Sequence, residues 1–350
     1  MVKRVAFAVP GDLATPTGGY AYDRRMIVEL ARFGWGIDVI NLGADFPPPS
    51  AAQRKTARRL LMEVPAGLAI VIDGLAYGVL PELASELAGD HPLVALVHHP
   101  LALESGLSAE EAEKLRASER LALEKATRVI VTSATTARLL ETEYNVAVDR
   151  ITVACPGTDP VSPARGSGDG IVRLLAIGAI VPRKGYDVLI EALASLIDLP
   201  WHLTIAGDDT RNCEAAARLN ADISRFRLGE RVTVLGAVSD VRLAELFAAA
   251  DIFALASRYE GYGMVFSDAI AHGLPVIGTR AGAIPETVAP EACILVPPDD
   301  AAALANALRR VIESPDKRIR MAAAAREAAR NLPTWQDSAK IFADVLEALA

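Results

Sequence analysis

The sequence predicts an α/β protein made of two doubly wound domains, each built on a parallel sheet. The chain has 350 residues, more than a single core usually holds. Short apolar runs alternate with helical patterns along most of its length, which is typical of parallel sheets. One stretch rich in Pro, Gly, Ser and Asp, residues 155–170, interrupts this alternation as a linker would.

The predicted strands fall into two groups of five, one on each side of that stretch. They are Val5–Val9, Ile37–Ile40, Leu68–Ile72, Leu93–Val97 and Val129–Val131, then Val172–Ile177, His202–Ala206, Val232–Leu235, Ile252–Leu255 and Pro275–Gly278. We place the boundary near residue 160, with domains over 1–160 and 161–333. Residues 334–350 form a further helix after Pro333, for which packing back on the N-terminal domain is one option.

Composition narrows the functional classes. A net charge of −8 and a pI near 5.3 argue against a general nucleic-acid binder, which needs a basic surface. Three widely spaced cysteines suit a reducing compartment and form no CxxC motif. The first apolar run is too short for a signal peptide, and no run is long enough to span a membrane. A cytoplasmic protein is therefore expected.

Carboxylates and glycines cluster between two apolar runs in residues 256–288. Gly261 and Gly263 punctuate a turn before a helical pattern that starts at Met264. Free amides at the start of such a helix attract an anion such as a phosphate. Glu260 beside that anion is unfavourable unless it accepts hydrogen bonds from ligand hydroxyls, which a sugar would supply. The alternative is a glycine-rich connection with solvated acids.

Short motifs along nearly the whole chain, taken together, resemble one known family. They are Thr17-Gly18-Gly19, His98-His99-Pro100, Pro156-Gly157-Thr158-Asp159, Pro182-Arg183-Lys184-Gly185, Ala206-Gly207-Asp208 and the segment 256–288. The chain resembles the family 4 glycosyltransferases of the GT-B fold, a retaining group that uses nucleotide-sugar donors. The resemblance implies two Rossmann-like domains facing across a cleft. It also implies transfer of a sugar from a UDP-sugar or GDP-sugar to an acceptor hydroxyl, with retention and without a further cofactor.

In the family an E-x7-E pair marks the donor site, and the matching residues here are Glu260 and Asp268. By resemblance, Glu260 holds sugar hydroxyls and Asp268 the ribose, while the turn of Gly261, Tyr262, Gly263 and Met264 approaches the diphosphate. Asp is one methylene shorter than Glu, so the ribose contact is expected to be water-mediated or lost. Alternatively, Asp268 is an acid favoured by the helix dipole.

Lys184 matches the family lysine that faces the leaving diphosphate, where a fixed cation stabilises developing charge. The family arginine after the glycine at Gly178 is replaced by Ala179, so Arg183 is the candidate for a second cation. Arg183 and Lys184 could instead mark a solvated helix start. Asp208, which follows a predicted strand, is placed near the nucleotide.

His98 aligns best with the family histidine that contacts the sugar and the acceptor side, and it joins Lys184 and Glu260 as a catalytic candidate. His99 is a close rival, because neighbouring residues of an extended chain point to opposite sides. Gly18 and Gly19 would permit close approach of donor phosphate or acceptor. Their loop is not GxGxxG, which disfavours a dinucleotide-dependent dehydrogenase.

No D-x-D triplet occurs in the chain, so the sequence predicts no metal site, and no P-loop, HExxH or GxSxG motif occurs either. Two rival interpretations stay open. A GT-B-like epimerase or phosphorylase would use the same two-domain cleft. A non-catalytic protein that binds sugar nucleotides would account for Ala179 and Asp268 together.

Four cations, Arg54, Lys55, Arg58 and Arg59, lie on one short predicted helix. They could meet anionic lipid or a charged acceptor, although a solvated helix face is favoured. With the resemblance, this places the protein in the cytoplasm, with peripheral contact at the inner membrane face as an option. The expected role is bacterial cell-envelope or exopolysaccharide synthesis, with a sugar, lipid-linked or small-molecule acceptor.

Overall fold

The computed structural model describes residues 3–104 and 106–349. They form two compact units, each around one parallel sheet of six strands. The N-terminal unit runs up to Gly157 and takes in the residues from Pro333 onward, and the C-terminal unit is Thr158–Leu332. The predicted fold class, two parallel-sheet α/β domains, is confirmed. No helix in the described ranges is long and apolar enough to cross a membrane.

The sheet of the N-terminal unit has the order β2-β1-β3-β4-β5-β6. Its strands are β1 (Lys3–Val9), β2 (Trp35–Asn41), β3 (Ile70–Asp73), β4 (Leu93–Val97), β5 (Arg128–Val131) and β6 (Ile151–Val153). Its helices are α1 (Gly18–Arg32), α2 (Ala51–Met62), α3 (Gly74–Tyr77), α4 (Pro81–Leu87), α5 (Ala109–Lys125), α6 (Ala134–Tyr144) and the last helix of the chain, α14 (Trp335–Glu347). Every residue of β4 is buried, because parallel strands are covered on both faces.

Helix α14 belongs to the N-terminal unit although it ends the chain. Thr334 and Asp337 form a capping box that starts it. Phe342 then stacks on Phe7 of β1, with ring centroids 6.3 Å apart. A Cβ on Gly157 would collide with the backbone of Trp335. The boundary between units therefore falls just after Gly157, three residues before the predicted position.

The sheet of the C-terminal unit has the order β12-β11-β10-β7-β8-β9. Its strands are β7 (Val172–Ile177), β8 (Trp201–Ala206), β9 (Val232–Val234), β10 (Ile252–Ala254), β11 (Val276–Thr279) and β12 (Cys293–Val296). Its helices are α7 (Tyr186–Ala194), α8 (Cys213–Arg225), α9 (Asp240–Ala249), α10 (Met264–Ala271), α11 (Ile284–Thr287), α12 (Ala301–Ile312) and α13 (Pro315–Ala329). Sequence reasoning missed β6 and β12, which are short edge strands with half-buried residues.

Each sheet contains a point where the strand order reverses. The reversal lies between β1 and β3 in the N-terminal unit and between β7 and β10 in the C-terminal unit. In doubly wound sheets, ligands bind outside the carboxyl ends of the strands at such a switch point. Each unit therefore has one favoured place for a ligand.

Candidate functional site

Three polar side chains surround the Glu260 carboxylate at the switch point of the C-terminal unit. Lys184 Nζ donates to Oε1 at 2.7 Å, and Ser257 Oγ donates to the same oxygen at 2.6 Å. Arg183 Nη1 lies 3.2 Å from Oε2 and also donates to the Tyr259 carbonyl at 2.8 Å. We call these four side chains the Glu260 cluster. It brings together the predicted sugar-binding acid and both predicted cations.

Neighbouring strands place the cluster. Arg183 and Lys184 lie on the 3₁₀ turn Pro182–Lys184 after β7, and Glu260 lies in the loop after the adjacent β10. Gly185 ends the turn with a φ of 64°, and a Cβ there would collide with the Ala256 carbonyl oxygen. This position therefore needs glycine both for its backbone conformation and for the close approach of the two loops.

The cluster keeps Glu260 ionised. The Glu260 side chain is 7% exposed, and those of Lys184 and Arg183 are 11% and 16% exposed. Burial alone would raise the Glu260 pKa, but the charges of Lys184 and Arg183 outweigh it and lower the pKa to about 2. A carboxylate that ionises so easily can accept hydrogen bonds at neutral pH but cannot serve there as a general acid.

The predicted glycine turn leads from Glu260 into α10. Gly263 precedes Met264 with a φ of 89°, a left-handed conformation that favours glycine. The turn is held from outside, because Thr287 Oγ1 donates to the Tyr262 carbonyl at 2.6 Å. The backbone amide of Ala283 also donates to the Glu260 carbonyl at 2.9 Å. The start of α10 is thereby fixed beside the Glu260 carboxylate, as an anion site requires.

Asp268 lies further along α10 and does not join the Glu260 cluster. Its side chain makes no hydrogen bond within the part of the chain that the structure describes. Burial and the nearby charge of Asp159 raise its pKa to about 7. Asp159 ends the Pro156-Gly157-Thr158-Asp159 motif, and no spacing rule pairs it with Asp268.

Asp208 is engaged in a local turn after β8. Its Oδ1 accepts hydrogen bonds from the backbone N and the Oγ1 of Thr210, at 2.9 and 2.7 Å. These bonds lower its pKa. A Cβ on the preceding Gly207 would collide with the Gly178 carbonyl oxygen. The structure thus gives Asp208 a clear role in the turn, and its proximity to a nucleotide stays a prediction.

A second cluster lies at the switch point of the N-terminal unit. His98 Nε2 is 3.1 Å from Asp23 Oδ1 and 3.4 Å from Asp73 Oδ2. His98 directly follows β4, Asp73 ends β3, and Asp23 lies on α1, so three elements converge here. We call these three residues the His98 cluster. Neither Asp23 nor Asp73 is among the predicted site residues, although the position of Asp73 at a strand end was a usable signal.

Gly18 and Gly19 form the first turn of α1, with Thr17 as the N-cap. A Cβ on Gly19 would lie 3.2 Å from His98 Cδ2. The contact that the structure shows for Gly19 is therefore with the His98 ring, while an approach of phosphate or acceptor stays a prediction. His99 Nε2 lies 3.3 Å from Glu104 Oε2. The two histidines thus have different partners, and only His98 belongs to the buried carboxylate cluster.

Three of the four cations on the predicted basic face of α2 bind groups of the same chain. Arg54 donates to the Val79 carbonyl at 2.7 Å, Arg58 pairs with Glu86 at 2.7 Å, and Arg59 pairs with Glu63 at 3.0 Å. Such surface pairs contribute little stability. They do reduce the net positive charge that α2 offers to an anionic lipid or a charged acceptor.

Two family models match the chain. Glycosyltransferase Family 4 matches residues 12–161, and Glycosyl transferases group 1 matches residues 164–328. The two ranges meet close to the boundary between the units and leave little of the chain unmatched.

Curated relatives share about a third of the aligned residues or less. The MMP alpha-(1->4)-mannosyltransferase of Mycolicibacterium hassiacum is 28% identical over 313 residues, which cover 85% of this chain and 74% of that protein. The D-inositol 3-phosphate glycosyltransferase of Pseudarthrobacter chlorophenolicus is 33% identical over 277 residues, covering 73% of this chain and 65% of that protein. Several other curated relatives are matched over little more than half of their length.

Solved structures share the fold over almost the whole chain. Sucrose-phosphate synthase from Thermosynechococcus elongatus has a TM-score of 0.84 at 23% identity, with 99% of both chains covered. Anabaena Alr3699/HepE, solved in complex with UDP and glucose, has a TM-score of 0.77 at 20% identity, with 98% of this chain and 99% of that chain covered. At these identities the likeness establishes the fold alone.

Proposed function

The chain belongs to the glycosyltransferases of the GT-B fold, and from this premise we propose that it transfers a sugar from a nucleotide-diphosphate sugar to an acceptor hydroxyl. The observation that carries the proposal is the Glu260 cluster, in which a buried carboxylate and two cations meet beside the glycine-led start of α10. A nucleotide sugar presents both kinds of complementary group, hydroxyls for the acid and phosphates for the cations. The family resemblance points to UDP or GDP as the nucleotide.

In the proposed reaction, Lys184 and the first amides of α10 contact the diphosphate. Negative charge grows on the diphosphate as its bond to the sugar breaks, and a cation already held in place stabilises that charge without reorganisation. Glu260 accepts hydrogen bonds from the sugar hydroxyls and fixes the sugar next to the diphosphate. Glu260 is thus a binding group, in keeping with its low pKa.

Ala179 stands where the family has an arginine, and Arg183 supplies the missing cation. Its guanidinium lies 3.2 Å from Glu260 Oε2 and is 16% exposed, so it shares the pocket of Lys184. A second cation is then available for the diphosphate despite the substitution at Ala179. This supports an active enzyme rather than a protein that only binds sugar nucleotides.

The finer steps follow from the family resemblance. We propose transfer with retention of anomeric configuration, in which the acceptor hydroxyl approaches the face from which the diphosphate leaves. Lys184, Arg183 and backbone amides would neutralise the diphosphate, so the reaction would not require a divalent metal ion. His98 would contact the sugar or the acceptor.

Peripheral membrane contact through Arg54, Lys55, Arg58 and Arg59 is a separate prediction. The ion pairs that Arg58 and Arg59 form with acids of the same chain weaken it.

A screen of nucleotides tests this function. We expect UDP or GDP, and the matching nucleotide sugar, to raise the melting temperature of the protein, whereas the corresponding monophosphate should have a smaller effect. The stabilising nucleotide sugar is then incubated with a panel of sugar, lipid-linked and small-molecule acceptors. Release of nucleoside diphosphate together with a glycosylated product supports the proposal. Turnover of the donor without acceptor would indicate an epimerase or a hydrolase instead.

Replacement of Asp268 by Glu tests the shortened acid of the E-x7-E pair. If the carboxylate faces the ribose, the added methylene should convert a water-mediated or missing contact into a direct hydrogen bond. A net hydrogen bond contributes about 1 kcal/mol, so the donor KM should fall about fivefold at nearly unchanged kcat. Asp268→Ala is the matched control and should raise the donor KM. Unchanged donor KM in both variants would show that Asp268 does not contact the donor.

A further inference from the structure

The His98 cluster places two buried carboxyl groups beside one imidazole ring. Asp23 and Asp73 are 0% and 1% exposed, and both have an oxygen within 3.4 Å of the same ring nitrogen. Asp23 Oδ2 has no hydrogen-bond partner among the described residues. Two buried carboxylates beside one another are unfavourable unless protons or a cation balance them.

The geometry restricts where the protons of the cluster lie. If His98 Nε2 carried a lone pair, that lone pair would face two carboxylate oxygens, which is repulsive. While both carboxylates are ionised, Nε2 therefore carries a hydrogen and donates it between Asp23 and Asp73. Nδ1 has no hydrogen-bond partner within residues 3–104 and 106–349, and the side chain is 17% exposed. The ring thus has one nitrogen turned into the protein and one available to a ligand.

The surroundings leave the ring little freedom to turn. The Tyr22 ring meets it edge-on, with centroids 5.3 Å apart. Gly19 lies so close that even a Cβ there would press on Cδ2. The backbone is fixed as well, since Thr132 Oγ1 donates to the His98 carbonyl at 3.1 Å. The titratable groups that face the ring are Asp23, Asp73 and Tyr22.

We propose that Asp23 and Asp73 are positioning residues that hold His98 as a fixed imidazolium, so that Nδ1 is a permanent hydrogen-bond donor to a substrate oxygen and His98 does not act as a general base. The inference rests on the proposed transfer reaction for its role in turnover. The substrate atom is an oxygen that carries lone pairs, in either the donor sugar or the acceptor. Neither carboxylate contacts the substrate; both act through the ring.

The titration behaviour of the groups agrees with this arrangement. Burial alone would lower the pKa of His98, but the charges and hydrogen bonds of Asp23 and Asp73 outweigh it and raise the pKa to about 10. Burial and the charge of Asp73 raise the pKa of Asp23 to about 7. At neutral pH His98 is therefore an imidazolium, while Asp23 is close to its own pKa.

The charge state of His98 can be measured directly by NMR of the histidine side chains, with His98→Asn to assign its signals. We expect His98 to stay charged up to at least pH 8 in the wild-type protein. In Asp23→Asn/Asp73→Asn it should titrate at or below the ordinary pKa of about 6.5, because burial lowers the pKa and the two carboxylates no longer oppose it. Asn at position 73 can still accept the hydrogen bond from Leu75 N, now at 2.7 Å, so this helix cap is retained.

A measurement of activity against pH tests whether sugar transfer depends on the charged form of His98. The kcat/KM of the double variant should fall at least about tenfold between pH 6 and pH 8, because the variant loses the imidazolium over this range, whereas the wild type stays charged and should show no such fall. If His98 were a general base, the kcat/KM of the double variant would instead rise over this range, because the neutral imidazole forms. Separate KM values for donor and acceptor show which of the two substrates supplies the oxygen.

Glu29→Gln is the matched control, because Glu29 is also a fully buried acid of α1, paired there with Arg25 and Arg32. The kcat/KM of Glu29→Gln relative to that of the wild type should not depend on pH. The proposal is overturned if His98 of the wild type titrates at or below about pH 6.5. It is also overturned if the purified protein retains an equimolar divalent metal that the double variant lacks. The NMR result stands without turnover, so it separates failure of this proposal from failure of the proposed function.

Discussion

Replacing Lys184 by Ala is expected to reduce kcat for sugar transfer by about 10²- to 10³-fold, the usual effect of removing one fixed group that stabilises transition-state charge. The protein should still fold, because Glu260 keeps its contacts with Arg183 and Ser257. Donor affinity should fall less than kcat, since charge on the diphosphate increases in the transition state. The assay is single-turnover transfer at saturating donor, with circular dichroism to check the fold.

Lys317→Ala is a suitable control, because Lys317 is a half-exposed cation of the same unit that takes no part in the Glu260 cluster. It should transfer sugar at the wild-type rate. If Lys184→Ala retained normal activity, the lysine would not face the leaving group, and the assignment of the whole donor site would be wrong. A variant that lost only donor affinity would place Lys184 in binding and not in the chemical step.

The sequence predicts the sheets well because strands buried on both faces read as continuous apolar runs. Leu93–Val97 and Val172–Ile177 have the predicted bounds. The edge strands β6 and β12 were missed because they are only three and four residues long, at or below the shortest apolar run that predicts a strand. The grouping of Lys184 with Glu260 could be predicted only through the family resemblance, since 76 residues separate them and only the pairing of β7 with β10 brings them together.

The His98 cluster shows what sequence reasoning could not supply. Asp23 lies on a helix and Asp73 at a strand end, and both reach the His98 ring only because α1 lies near the carboxyl ends of β3 and β4. No local pattern encodes that geometry. The same holds for Asp159 and Asp268, since the charge of Asp159 helps to raise the pKa of Asp268 although 109 positions of sequence separate the two residues. Local patterns predict elements, whereas buried charge clusters depend on tertiary packing.

Replacing Glu260 by Gln is expected to lower the free energy of unfolding by about 3–5 kcal/mol at pH 7, because the buried cations Lys184 and Arg183 lose their counter-charge. The wild-type protein should show a matching pH dependence. The Glu260 pKa falls from 4.5 in the unfolded chain to about 2 in the folded protein. Its contribution of roughly 3 kcal/mol is therefore present above pH 4.5 and lost as the pH falls towards 2.

Urea denaturation at several pH values measures both effects, and hydrogen exchange resolved by peptide assigns them to the C-terminal unit. The difference between wild type and Glu260→Gln should shrink as the pH falls. Glu313→Gln is the control, because Glu313 pairs with Arg309 at 2.9 Å on the surface, with side chains about half and a third exposed. Its effect should stay within about 0.5 kcal/mol.

The double variant Glu260→Gln/Lys184→Met distinguishes two causes of the lost stability in Glu260→Gln. One is the loss of attraction between carboxylate and cations, and the other is the buried charge that is left without a partner. If the unpaired ammonium causes the damage, removing it should restore part of the stability, so the double variant should be more stable than Glu260→Gln alone. Arg183 would then be the one cation of the cluster facing a neutral amide.

Added nucleoside diphosphate should stabilise Glu260→Gln more than the wild type, because its phosphates replace the missing carboxylate as partners of both cations. Equal stabilisation of the two proteins would show that the phosphates bind away from the Glu260 cluster.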